Sequence, residues 1–171
     1  MGLLHEIECA KCGVRDVVEQ KRRAYRLEGG GTLPVDAGLA WCRGCYRVVE
    51  GELFESVSAL RRSIETLQQA PPSGDRFADL LGLTRDEEIA LLRDRLRWRQ
   101  ARRGPPRCLE CGHESPDFMM MDDKAQGIAG RAGRLWVEHP FCLGRLTARA
   151  VGDRPSDDRA IEYSAEGERL S

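Results

Sequence analysis

The spacing of apolar residues changes along the chain, and each change predicts a different kind of element. Leu53, Val57, Leu60, Ile64 and Leu67 recur at spacings of 4, 3, 4 and 3. That seam places five apolar groups on one stripe of a helix over residues 53–70, and Pro71-Pro72-Ser73-Gly74 ends it. A short apolar segment, Phe77 to Leu83, follows. Thr84 and Glu87 form a capping box, in which Thr84 satisfies an exposed backbone N–H and Glu87 reaches back. A second helix then runs to about Arg103, with Ile89, Leu92 and Leu96 on its buried stripe, until Gly104-Pro105-Pro106 stops it. Two amphipathic helices joined by a Pro/Gly turn predict an antiparallel hairpin. Apolar surface left over after they pair would suit a homodimer.

On either side of the helices the pattern is that of strands. Val14, Val17 and Val18, then Leu39 to Trp41, Tyr46 to Val49 and Arg134 to Glu138 form strand segments. Leu146, Ala148 and Ala150 alternate with Arg145, Thr147 and Arg149, as expected of an edge strand with one solvated face. Gly29, Gly30 and Gly31 before Thr32-Leu33-Pro34 mark a flexible tip. Met119, Met120 and Met121 read as core filler. Residues 153–171 carry six acids against Arg154, Arg159 and Arg169 and few apolar groups to offset the entropy of ordering, so a disordered acidic tail is expected.

Composition narrows the picture. The 171 residues hold 27 Lys and Arg against 28 Asp and Glu, a net charge of -1. That balance excludes strong charge-driven binding of nucleic acid by the molecule as a whole. No apolar run approaches the ~18 residues of a membrane helix, and the first residues lack the apolar core of a signal peptide. The expected compartment is the cytoplasm, where thiols stay reduced.

Six of the seven cysteines fall in pairs: Cys9 with Cys12, Cys42 with Cys45, and Cys108 with Cys111. The seventh, Cys142, follows His139 at the same spacing. Repeated hooks of this kind in a reducing compartment read as metal sites. Zinc takes four tetrahedral N/S ligands, and two intervening residues let a tight turn aim two ligands at one point. Gly13 and Gly112 follow the second cysteine of their hooks, where such a turn needs a left-handed residue. Residues 13–41 separate the first two hooks and 112–138 the last two, whereas 46–107 lie between. The matched gaps and repeated CxxCG starts assign Cys9, Cys12, Cys42 and Cys45 to one site, and Cys108, Cys111, His139 and Cys142 to the other. A cross-braced arrangement, in which hooks one and three share a metal, is the competing topology.

The chain here resembles the zinc ribbons, rubredoxin-like ones included, through CAKCG (9–13) with CRGC (42–45) and CLECG (108–112) with HPFC (139–142). It departs from them at Tyr46, where many ribbons have glycine. The resemblance implies two structural zinc ions, with a rubredoxin-like iron centre at the all-cysteine site as the alternative. It does not select a function, since zinc ribbons occur in transcription and translation proteins, nucleases, adaptors and enzyme appendages.

The expected fold class is α+β, with two small zinc-ribbon lobes (1–52 and 104–152) joined by the helical hairpin (53–103) and followed by the tail (153–171). Between residues 93 and 107 stand seven arginines and one acid, Asp94. Arg93, Arg97, Arg99, Arg102, Arg103 and Arg107, with Trp98 among them, read either as a solvated face pairing with acids elsewhere or as a contact for nucleic acid or an acidic partner. Lys21, Arg22, Arg23 and Arg26 around Tyr25 read likewise as a solvated face or a phosphate-contacting finger. Gly127, Gly130 and Gly133 with Arg131 and Arg134 make a basic loop. His113 reads as a surface group, and His5 carries no signal. No Walker A, H-E-x-x-H, G-x-S-x-G or dinucleotide pattern occurs, and Cys108-x-Glu110 lacks the second half of the deaminase signature. The expected function is therefore a non-catalytic adaptor that meets a protein partner through its helices and basic loops. Direct DNA or RNA binding and electron transfer are the alternatives.

Overall fold

The computed structural model describes residues 2–69, 83–121, 135–154 and 159–170, which form eleven strands and two helices. The strands are β1 (Gly2–Cys9), β2 (Arg15–Glu19), β3 (Arg23–Arg26), β4 (Thr32–Pro34), β5 (Ala37–Cys42), β6 (Arg47–Glu52), β7 (Asp117–Phe118), β8 (Met120–Met121), β9 (Leu135–His139), β10 (Gly144–Arg154) and β11 (Ile161–Ser164). The helices are α1 (Val57–Gln69) and α2 (Arg85–Ala101).

The strands do not divide into an N-terminal and a C-terminal lobe. One sheet has the order β2-β1-β10-β9-β8, in which β1 pairs antiparallel with β10 from Gly2↔Arg154 to Cys9↔Leu146. A second sheet, β6-β5-β7, joins the strands around the second hook to residues that follow the third. Ile7, Cys9, Val18, Leu146 and Ala148 of the first sheet share one core with Leu39, Trp41 and Val48 of the second. Long-range pairing thus overrides the sequence-local grouping. The inward alternation of β1 and β10 gives each an apolar face, and burying both against β5 and β6 outweighs the small entropic preference for nearby partners.

Three further expectations change. β10 alternates as predicted, with Leu146 and Ala148 buried, but it is the middle strand of five. An antiparallel strand with one wet face need not be an edge. The tail is not disordered over 159–170: β11 pairs parallel with β3, and Tyr163 is buried there against Tyr25, Leu33 and Leu109. Of the three methionines, Met119 is in the core and Met120 and Met121 are exposed on β8.

The helices pack on each other. α1 buries Leu60 and Ile64 but begins at Val57, leaving Leu53 exposed before it. α2 starts at the expected capping box, with Thr84 Oγ1 accepting from the Glu87 N–H and Glu87 accepting from the Thr84 N–H at 2.7 Å. The Pro/Gly turn between the helices and the basic loop of Arg131 and Arg134 lie outside the described residues.

Candidate metal centres

Each hook sits at a strand end, and strand pairing decides which hooks meet. β1 ends at Cys9, and β10 begins two residues after Cys142, so the pairing Cys9↔Leu146 brings the first hook to the fourth. β5 ends at Cys42, and β6 begins two residues after Cys45. The Leu109 N–H donates to the Glu50 carbonyl at 2.9 Å, and the Glu52 N–H to the Arg107 carbonyl at 2.9 Å, laying the third hook along β6.

Two clusters result: Cys9, Cys12, His139 and Cys142, and Cys42, Cys45, Cys108 and Cys111. All eight expected ligands gather, but in a nested order, first with fourth and second with third. Both the sequential pairing and the cross-braced one are corrected by the strand register.

The donor geometry fits a tetrahedral ion. In each cluster the candidate ligand atoms lie within 4.8 Å of one another. Sγ–Sγ separations are 3.5 Å for Cys42–Cys111, 3.7 Å for Cys45–Cys108 and 3.5 Å for Cys9–Cys142. A tetrahedron with Zn–S of ~2.3 Å has edges of about 3.8 Å. His139 turns Nδ1 inward, 3.3 Å from Cys12 Sγ and 3.2 Å from Cys142 Sγ. All seven cysteines are free thiols.

The four hooks share one backbone turn. The residue after each second ligand donates its N–H to the carbonyl of the first: Gly13 to Cys9 at 2.9 Å, Tyr46 to Cys42 at 2.8 Å, Gly112 to Cys108 at 2.9 Å and Leu143 to His139 at 2.8 Å. All four residues are left-handed, with φ of 73°, 55°, 75° and 56°. Glycine adopts this freely at Gly13 and Gly112. A side chain at such a position costs roughly 1–2 kcal/mol, which Tyr46 and Leu143 bear. Within the hooks and just after them, backbone N–H groups point at sulfur, from Cys45 to Cys42 at 3.4 Å, Glu110 to Cys108 at 3.4 Å and Gly144 to Cys142 at 3.3 Å.

Burial and nearby backbone N–H groups act on the thiols in opposite directions. Burial pushes the Cys9 thiol up, but the N–H groups of Cys12 and Lys11, together with the neighbouring Cys142 and Cys12 thiols, more than offset it and bring the value down to about 6. In the other cluster, burial with the crowding of neighbouring thiols pushes Cys45 up, and burial raises Cys108 to about 11 against the N–H groups of Cys111 and Glu110. Cys111 is lowered, its burial outweighed by the His113 N–H and its neighbours.

Sequence reasoning missed part of the site. A Cβ on Gly144 would stand 2.6 Å from Lys11 Cβ, 3.0 Å from Cys9 Sγ and 3.1 Å from Cys142 Sγ. One on Gly44 would stand 3.0 Å from His113 Cβ and 3.1 Å from Cys111 Sγ. Both glycines thus clear space for ligand atoms, and only their positions, Gly44 inside a hook and Gly144 just after one, could have hinted at it. Glu50 and Glu52 were also missed. Glu50 holds Arg23 at 2.7 Å, and Arg23 reaches Glu110 inside the third hook at 3.0 Å. Tyr163 donates to the Leu109 carbonyl of the same hook at 2.7 Å.

The arginine-rich end of α2 is largely committed within the fold. Arg102 is fully buried with Glu52 at 3.0 Å. Arg107 faces Glu114 and Glu168 at 3.6 and 3.9 Å, and Arg99 lies over the Phe54 ring at 4.7 Å. Trp98 stacks on Tyr25 at 4.4 Å and donates to the Ala165 carbonyl at 2.9 Å. Arg97 pairs with Asp94 at the surface, and Arg93 and Arg103 are exposed. In the other basic segment Arg23 and Tyr25 are buried, which overturns both readings for those two side chains. His113 is exposed, as expected. His5 is buried, and neither ring nitrogen has a hydrogen-bond partner among the described residues.

Comparison with known proteins finds no matching family model, no matching curated protein and no matching solved structure. The class is therefore defined by the molecule itself: a mixed α+β protein with two Cys/His clusters able to hold metal ions. No helix among the described residues is long and apolar enough to cross a membrane.

Proposed function

We propose that this protein is a non-catalytic interaction module whose fold is stapled by two zinc ions and whose work is to hold a rigid surface against a protein partner. The nested closure of two four-ligand clusters carries the reading. Four protein donors complete a tetrahedron and leave no position for a substrate or an activated water, which a catalytic zinc needs. The clusters also stand where β1 meets β10 and where β5 and β6 meet the third hook, so each ion would fasten segments far apart in sequence. The inward turn of Arg99, Arg102, Arg107 and Trp98 leaves the nucleic-acid reading with little of the surface it required.

Native mass measurement with elemental analysis tests this. Two zinc ions per chain and a colourless protein that unfolds under a strong chelator are expected. A red, redox-active iron centre would support the electron-transfer reading, and a metal-free folded chain would overturn both.

A further inference from the structure

Among the described residues, the most exposed large apolar side chains are Leu143 (70%), Tyr46 (67%) and Phe141 (67%). All three lie in or directly after hooks. Tyr46 follows the second hook and Leu143 the fourth, at left-handed positions where the other two hooks have glycine. Phe141 stands between His139 and Cys142. It stacks on Tyr46 at 6.1 Å and meets Trp41 and His139 edge-on at 5.7 and 5.5 Å. The Phe141–Tyr46 stack thus joins the fourth hook to the second, and Leu143 lies two residues from Phe141 in the turn closed by its N–H on the His139 carbonyl. Backbone strain and water exposure both disfavour Tyr46 and Leu143 where they are, and their exposure rules out core packing as the explanation.

The rim around these side chains is cationic. The four hook loops, 9–13, 42–47, 108–112 and 139–145, contain Lys11, Arg43, Arg47 and Arg145 against one acid, Glu110, which pairs with the buried Arg23 at 3.0 Å. All four basic side chains are exposed. Arg145 lies over the Trp136 ring at 4.1 Å, and Arg43 and Arg47 meet Asp117 and Asp16 at 3.2 and 4.0 Å. In a second copy like surfaces would meet, and Lys11, Arg43, Arg47 and Arg145 outnumber the acids beside them, Asp16, Asp117 and Glu138. A single-stranded nucleic acid would use the rings but has nothing to place on Leu143.

We infer that the face of Tyr46, Phe141 and Leu143 docks an acidic peptide segment that presents aromatic or aliphatic side chains. The inference rests on the reading of the protein as a metal-stapled interaction module and moves the contact from the helices to the hooks. The apolar side chains of the peptide cover the three exposed groups, and its carboxylates face the rim.

The test is selection from a random twelve-residue peptide display library on the zinc-loaded full chain, with counter-selection on Tyr46→Gly/Leu143→Gly. Selected peptides are then synthesised and titrated by fluorescence anisotropy, beside a labelled twelve-residue oligothymidine. Enriched peptides should combine Asp or Glu with Phe, Leu, Ile, Trp or Met. They should bind the double variant and Phe141→Ala at least tenfold more weakly. The glycine variant should keep both ions and an unlowered melting temperature. If the glycines disturb the hooks, Tyr46→Asn/Leu143→Asn, which also tolerates the left-handed backbone, replaces them. Basic peptides, no enrichment, equal binding to the variants, salt-steep oligothymidine binding that exceeds peptide binding, or self-association abolished by Leu143→Gly would each overturn the docking site. Failure on a folded chain with two ions sinks this inference alone, whereas a wild-type chain without metal sinks the module reading beneath it.

Discussion

Arg102 shows what a single side chain holds in this protein. Its guanidinium reaches Glu52 at 3.0 Å with both side chains fully buried, and it donates to the Ala165 carbonyl at 3.1 Å. Glu52 also accepts from Tyr25 at 2.7 Å and from the Arg107 N–H at 2.8 Å. Burial pushes the Glu52 carboxyl up, and Tyr25 and Arg102 pull it back only in part. Arg102→Met should therefore strand a buried carboxylate and lower stability by about 3–5 kcal/mol in denaturant titrations, whereas Arg103→Met at the exposed neighbouring position should change little. Gly144→Ala tests the close approach at the first cluster. Its methyl group would meet Lys11 and two ligand sulfurs, so metal retention in a chelator competition should fall on the order of tenfold or more. In the sequence Arg102 was one of seven arginines in a run, and nothing in its neighbours marked it as the buried one. Its partner Glu52 lies fifty residues away, and only tertiary packing reveals the pair.

At the scale of elements, local chemistry was legible and partner choice was not. The capping box at Thr84 and Glu87 depends on residues three apart, and it forms as read. Thr84→Ala should cost about 1 kcal/mol of stability. The Thr84 N–H and side chain hold the Glu87 carboxyl below its ordinary value. Its share of the cap is thus full above the ordinary glutamate range and lost as pH falls through the lowered value. In a synthetic 83–103 peptide, helicity by circular dichroism should fall in that window, and Glu87→Gln should flatten the fall. β11 shows the opposite case. Its acidic surroundings suggested disorder, yet Ile161 and Tyr163 supply two apolar side chains to the core beside α2. Tyr163 also accepts from Arg23 and donates to the Leu109 carbonyl. Tyr163→Ala should therefore cost about 3–5 kcal/mol, where a disordered tail would give no change. Net charge hid this strand because a few well-placed apolar groups decide whether a segment orders.

For the molecule as a whole, the eight donors could be read from spacing because a hook is a local object. Their division into two sets could not, because it follows from β1 lying beside β10. The matched gaps argued for neighbours, but doubling a loop adds only about 0.6 kcal/mol, far less than an eight-residue strand pairing contributes. The nested order makes a sharp prediction. A fragment spanning residues 1–52 holds half of each set, so it should fail to bind one zinc ion tightly in a competition assay, whereas sequential ribbons would let it do so. In the full chain Cys12→Ser and Cys142→Ser should have the same effect, each losing one ion and keeping the other.

Nesting also imposes an order on assembly during synthesis. Cys9 leaves the ribosome 133 residues ahead of Cys142, so of the eight candidate ligands the first made would be the last to meet their partners. The inner quartet is complete once Cys111 has emerged and would be able to take an ion while the outer pair still waits. Throughout that interval Cys9 and Cys12 would be open to oxidants and stray metals, and the growing chain would be more vulnerable at the outer quartet than at the inner one.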